Sequence, residues 1–204
     1  RMRIVMVEDN ALLEEVSVAG VTNTDNRPCT TSITGCTNEG KVESIAKGNH
    51  TYTAGICIIY NGSNGSTYAD ELIINNCVNN GEIEGDTVAG IIGNSSGNLK
   101  LSDCENNGAI NGRYSAGGIA QCIENKNSNE AEVSNCINNG NVFGGAEAAG
   151  IIDYAEGITV TNCINNGNIS SNGYVGGIFS YTSSVKGTGL VNNGKISGLE
   201  DIGG

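Results

Sequence analysis

The chain has 204 residues, enough to bury a substantial core, and a skewed composition of 31 glycines, one proline, no tryptophan and 16 % charged residues. Low charge and little proline argue against a disordered tail, and a net charge of −12 with only ten Lys and Arg argues against nucleic acid as a partner. Two Phe and seven Tyr leave the core to small and β-branched side chains, and no apolar run approaches the ~20 residues of a membrane-spanning helix.

Self-similarity dominates the sequence. The stretch MRIVMVEDNALL at the start resembles the first strand of a response-regulator receiver domain, with Glu8 and Asp9 as its acidic pair, yet the alternating strand and helix pattern of that fold is missing downstream. Setting Val7 on Cys77 instead places Asp9 and Asn10 on Asn79 and Asn80, Leu13 on Ile83, and Val18-Ala19-Gly20-Val21 on Val88-Ala89-Gly90-Ile91 without a gap. Residues 4–23 are read as a degenerate copy within a first turn of 1–35. A capping helix over Asp9–Val16 is the alternative, because Asp or Asn before Leu, Leu, Glu and Glu is a fair helix start.

Regular copies follow. Cys36-Thr37-Asn38-Glu39-Gly40-Lys41-Val42 leads to Cys77-Val78-Asn79-Asn80-Gly81-Glu82-Ile83, which returns at Cys104, Cys136 and Cys163 and ends as Leu190-Val191-Asn192-Asn193-Gly194-Lys195-Ile196. Anchors at 36, 77, 104, 136, 163 and 190 are spaced by 41, 27, 32, 27 and 27, a period of 27 with insertions of 14 and 5. A second motif recurs as Ala54-Gly55-Ile56, Ala89-Gly90-Ile91, Gly117-Gly118-Ile119, Ala149-Gly150-Ile151 and Gly176-Gly177-Ile178. A third apolar position, three residues before most anchors, holds Ile33, Ile74, Leu101, Val133 and Val160.

A unit with three short β segments cannot bury an apolar face alone and must stack on its neighbours. The sequence predicts an all-β, single-stranded parallel β-helix over 1–204, right-handed, with about seven turns of ~27 residues and three short strands per turn. Each turn would rise ~4.8 Å, giving a rod of about 30 Å. The first Asn of each pair (Asn38, Asn79, Asn106, Asn138, Asn165 and Asn192) is expected to adopt left-handed dihedrals and to bond the backbone of the next turn, forming an asparagine ladder. Gly40, Gly81, Gly108, Gly140, Gly167 and Gly194 would fill the next corner, where positive φ or close packing excludes a Cβ.

Cys36, Cys77, Cys104, Cys136 and Cys163 share one position with Val7 and Leu190, so the site selects a small buried hydrophobe and the cysteines read as a core ladder of thiols. Rung spacing lies within disulfide range, but five stacked cysteines cannot all pair. Cys29, Cys57 and Cys122 lie off the ladder, and whether they form disulfides stays open. No CxxC and a single histidine, His50, give no zinc site, and no cofactor is indicated.

A search for chemistry finds no catalytic constellation. Asp70, Asp86, Asp103 and Asp153 fall at four different repeat positions, and Glu82 and Glu84 alternate across one strand, with Glu43 the only partner of Glu84 in the turn before. That leaves no carboxylate pair for glycoside hydrolysis. HExxH, a phosphate loop, calcium nonapeptides and a flat threonine array (Thr159 and Thr161 lack counterparts) are missing as well. More suggestive are the insertions, which place extra loops at 47–70 and 121–130. Loops leaving one face of a solenoid often form its binding surface. Tyr60, Tyr154 and Tyr181 follow the Gly-Ile segment by three or four residues and Tyr52, Tyr114 and Tyr174 precede it at a similar interval. With Tyr68 they are the candidate ligand-binding residues, placed to meet sugars or a protein.

The segments NCVNNGEIEGDTVAGIIGN, NCINNGNVFGGAEAAGIID and NCINNGNISSNGYVGGIFSY resemble the GLUG-type repeats of bacterial surface proteins, with their Asn-Cys, Asn-x-Gly, Gly-Gly-Ile and trailing Tyr. The last Gly of Gly-Ile-x-Gly survives at Gly93 and becomes Gln121, Asp153 and Ser180 elsewhere. The resemblance implies an extracellular, cell-surface β-helical region of adhesin-like proteins, of a kind also found beside the catalytic part of IgA-cleaving metallopeptidases, and brings no catalytic residue. The expected function is a non-catalytic module, probing a host or microbial surface protein or glycan, or serving as a spacer within a larger protein. The alternatives are a glycan-binding or polysaccharide-active β-helix using the loops 47–70 and 121–130, and a phage fibre or self-assembling rod joined end to end.

Overall fold

The computed structural model describes residues 30–45, 51–61, 71–125 and 131–204. The degenerate first copy, the alternative helix at Asp9–Val16, Cys29, His50 and Tyr68 lie outside these residues, as does most of each inserted loop. All described pairings are parallel, and each joins a strand to its counterpart in the adjoining repeat. The turn of Cys77 shows the pattern: Glu71–Asn75 forms a first face, Val78–Asn79 a second, Ile83–Ala89 a third and Ile92–Ser96 a fourth. The first and second faces each stack six described strands. The all-β architecture is consistent with a parallel β-solenoid, and no helix occurs among the described residues.

Two expectations about local geometry change. The turns cross four faces where three strands are expected, because the corner at the Asn-x-Gly motif divides the anchor segment into the second and third faces, and in the turns of Cys36, Cys136 and Cys163 the third face is itself split into two strands. The Gly-Ile motif is a corner, with Gly90 and Ile91 standing between Ile83–Ala89 and Ile92–Ser96. The left-handed residue is also elsewhere. It is the one before each anchor: Asn76, Asp103, Asn135 and Asn162 at φ 53, with Gly35 at φ 65 and Gly189 at φ 67. The chain turns there from first to second face within one residue, a conformation that Asn, Asp and Gly tolerate. The paired asparagines sit in short strands instead. The corner glycines are required by close packing: a Cβ on Gly81, Gly108 or Gly167 would stand 2.6 Å from the carbonyl carbon of the glycine one rung before.

The asparagine ladder is double. In the buried column Asn38, Asn79, Asn106, Asn138 and Asn165 each donate Nδ2–H to Oδ1 of the asparagine one rung further on, at 2.6–2.7 Å. Each also donates to the carbonyl of its own corner glycine, as Asn138 does to Gly140 at 2.9 Å, so the bonds run side chain to side chain rather than to the next turn's backbone. The second column is exposed and runs the other way. Asn107, Asn139, Asn166 and Asn193 donate to the asparagine one rung back at 2.8–2.9 Å, and Asn80 donates to Glu39. Amide dipoles add along each column, and opposing directions in adjoining columns relieve their mutual repulsion.

The buried ladder also explains the Gly-Ile corner. A Cβ on Gly90 would lie 2.7 Å from Asn106 Cγ, on Gly118 2.6 Å from Asn138 Cγ, and on Gly150 2.5 Å from Asn165 Cγ. The amide column thus crosses the interior and touches the opposite corner. On one side lies a cluster built on Ile74, Leu101, Val133, Val160 and the cysteines; on the other lies a smaller one built on Ile83, Ile110, Val142 and Ile169 beneath the third face.

Cys77, Cys104, Cys136 and Cys163 are 0–1 % exposed and stacked in the larger cluster, with Cys36 half-buried at its edge. Each buried thiol donates to the carbonyl two residues earlier, at 3.1–3.4 Å. The neighbouring Cys104 sulfur and burial push the Cys77 thiol up; contacts with Cys104 and Cys163, together with burial, do the same at Cys136. Leu190 closes the column by exchange of volume: its Cδ1 stands 2.8 Å from where a Cβ on Gly187 would be, and Gly187 holds the register position of Val160. Thiol alkylation followed by peptide mass mapping is expected to leave the four buried cysteines unmodified in the native chain and to label all four in denaturant. Cys104→Val should cost less than about 1.5 kcal/mol in a denaturation titration, as a swap of similar volume.

Candidate functional site

The five candidate tyrosines whose side chains are described, Tyr52, Tyr114, Tyr154, Tyr174 and Tyr181, do not converge. Tyr154 and Tyr181 stack on the fourth face with ring centroids 4.9 Å apart and planes 8° from parallel. Tyr154 donates to Glu156 Oε2 at 3.1 Å, and Glu156 together with burial pushes its phenol up to about 12. In backbone register Tyr60 pairs with Ser95, in the column of Ile123 and Ala155, whereas Tyr154 and Tyr181 align with Cys122. On the third face Tyr114 and Tyr174 are exposed, Tyr114 at an irregularity between Gly112 and Ser115. Tyr52 is half-buried, and its hydroxyl accepts from Asn94 Nδ2 at 3.0 Å. Tyr68 lies outside the described residues, and the loops 47–70 and 121–130 are described only at their margins.

The acids have partners that the sequence does not reveal. Glu43 and Glu84 are in register, and Lys41 Nζ bridges them at 3.3 and 2.7 Å. Asp86 is 9 % exposed and ion-paired with Arg113 at 2.5 Å across one rung. Asp153 is fully buried at the position that carries Gly93 in an earlier turn. Ser180 Oγ donates to its Oδ1 and Gln121 Nε2 to its Oδ2, the latter at 3.1 Å. Burial pushes the Asp153 carboxyl up to about 7; Ser180, Gln121 and Ser115 oppose this by hydrogen bonding, and the charge of Glu147 adds to it. With Asp153 at its buried centre, the cluster reads as a polar tie between the third and fourth faces.

Asp153 binds a proton in the folded chain that an unfolded carboxylate, with a pKa near ~4, has released. Its stabilising contribution is complete below about pH 4 and is lost as pH rises to about 7. The fall in denaturation midpoint across that window is expected to flatten in Asp153→Asn.

An open site lies on the third face, where Phe143 is 40 % exposed. A groove of about 270 Å³ crosses the outward side of four successive rungs. One row of its lining is Asn111, Phe143, Ser170 and Ser197, stacked in register. The other is Asn141, Asn168 and Lys195, at one position of the repeat. Asn141 Oδ1 accepts the Asn168 backbone N–H at 3.0 Å and Asn168 Oδ1 accepts that of Lys195 at 3.1 Å. Those bonds fix the amide orientation and leave two NH₂ groups available beside the Lys195 ammonium. No carboxylate lines the groove; the nearby Glu82 Oε1 accepts from Asn111 Nδ2 at 2.7 Å. The site has little signal in the sequence: Asn-Gly-Asn occurs in the copies at Asn139 and Asn166, and the adjoining outward row reads Asn, Phe, Ser and Ser. No group of three or more His, Cys, Asp or Glu side chains suited to a metal occurs among the described residues, and they contain no helix long and apolar enough to cross a membrane. Comparison with protein families, curated proteins and solved structures finds no match to this chain.

Proposed function

We propose that the chain is a non-catalytic GLUG-type repeat module of a bacterial cell-surface protein, placed outside the cell and acting in adhesion or as a spacer. In this reading the coil is right-handed and has about seven turns, the first within 1–35, for a length of about 30 Å. The observation that carries it is the double amide ladder. Side chains of every described rung are committed to the neighbouring rung, so the recurring residues specify lengthwise continuity, the property a stalk or display surface needs. Partners on this reading are a host or microbial surface protein or a glycan. Incubating the chain with a polysaccharide panel should release no reducing ends; release of reducing ends would overturn the non-catalytic reading.

The third-face groove favours a second reading, a glycan-binding β-helix, with a binding surface on the stack itself in addition to the loops 47–70 and 121–130. A glycan array tests it, with retained oligosaccharide as the expected result. The third reading is a fibre or rod assembled end to end. Light scattering that rises with protein concentration would support it, and a constant mass would refute it.

A further inference from the structure

We propose that the third-face groove binds an acidic polysaccharide, a chain of uronate sugars laid along the stacking axis. The inference rests on the glycan-binding reading and adds the class of sugar. Three features argue for it. First, Asn141, Asn168 and Lys195 repeat one rung apart, and the oxygens of both amides are taken by the backbone. Each amide oxygen thus keeps one lone pair, while both NH₂ groups and the Lys195 ammonium face outward, so the row is rich in donors. A carboxylate only accepts, and accepts most strongly from a cation, so a donor-rich row that includes an ammonium favours carboxylates over neutral hydroxyls.

Second, the groove has no carboxylate in its lining although the chain carries a net charge of −12. Glu82, beside it, is held by Asn111, and the bridged pair Glu43 and Glu84 lies further down the same face, neutralised in part by Lys41. A polyanion thus meets the Lys195 ammonium and no carboxylate along the groove itself. Third, Phe143 stands exposed between Asn111 and Ser170 in the facing row. An aromatic ring beside planar amides is the common arrangement for holding a sugar, the apolar face of the pyranose on the ring and its oxygens on the amides. The rung spacing of ~4.8 Å is close to the advance per sugar of an extended 1,4-linked chain, so successive sugars would meet equivalent donors.

The test uses the full chain and oligosaccharides of galacturonate, glucuronate and alginate, each compared with the same oligosaccharide after reduction of its carboxyl groups to alcohols. Titration calorimetry is expected to show binding of at least one acidic form that weakens with added salt, and at least tenfold weaker binding of its reduced partner. Lys195→Gln should weaken the acidic form about fivefold and leave the reduced form unchanged. Phe143→Ala should weaken both about tenfold. Both side chains are exposed, so circular dichroism and thermal midpoint should match the parent. Equal binding of acidic and reduced forms would overturn the acid selectivity while glycan binding stands. Binding indifferent to both substitutions would overturn the assignment to this groove. Absence of binding to every oligosaccharide would overturn the glycan-binding reading along with the inference.

Discussion

Exchanging Asn138 for aspartate is expected to cost at least about 4 kcal/mol of stability, the largest effect of any substitution considered. Asn138 is 0 % exposed. Its Nδ2 donates to Gly140 O at 2.9 Å and to Asn165 Oδ1 at 2.7 Å, and its Oδ1 accepts from Asn106. Aspartate puts an acceptor against both accepting oxygens, and burial denies it the water that would screen the charge. Asn138→Ala, which removes the partners without opposing them, should cost about 2–3 kcal/mol. The adjacent Asn139→Asp is the contrast. Asn139 donates to Asn107 Oδ1 and Glu105 Oε1 from an exposed position, so water replaces the lost bonds and the cost should stay below about 1 kcal/mol. Urea titrations of the three variants give the comparison, and equal effects at 138 and 139 would show that the two amide columns do not differ in burial as described.

Gly118→Ala should have the next largest effect, about 3 kcal/mol. The added Cβ would stand 2.6 Å from Asn138 Cγ and 2.8 Å from its Nδ2, and would press on the Gly150 carbonyl oxygen. Both neighbours are fixed, one by the amide ladder and the other by the backbone of the next rung, so neither can give way locally. Gly203→Ala, with nothing within 4 Å of the new Cβ, is the matched control and should be neutral. Thermal unfolding followed by circular dichroism distinguishes the pair. A small effect at Gly118 would mean that the amide column does not reach the opposite corner.

Much of this fold is legible in the sequence because stacking turns one local requirement into a recurring letter. The cysteines, the first asparagine of each pair and the corner glycines mark positions that face the same neighbours on every rung. The number of faces is less legible. Residues such as Val78 and Asn79 form a strand only two residues long, too short to show an alternation of its own. The left-handed corner has a readable signal in the Asn or Asp before the anchor at Asn76, Asp103, Asn135 and Asn162, but glycine or asparagine at several neighbouring positions competes for that reading. Tyr60 follows Ile56 by four residues and Tyr154 follows Ile151 by three, so the two tyrosines hold register positions one residue apart.

The groove is obscured for the reverse reason. Its outward row runs through Asn111, Phe143, Ser170 and Ser197, and no packing demand makes those residues alike. Only the register of the stack brings them together. Asp153 was likewise unreadable as a buried acid, since the aligned positions hold glycine, glutamine and serine and its burial depends on how the third and fourth faces close over it.

The central claim is that each repeat forms one rung, so that equivalent residues lie in a straight column. Pulsed electron–electron resonance between nitroxide amino acids placed at Asn80 and Asn193 tests this most directly, since both are exposed members of the outer amide column, four rungs apart. A narrow distribution centred near ~19 Å, four rises of ~4.8 Å, is the expected result. A broad distribution, or a separation far beyond that span, would contradict the stack.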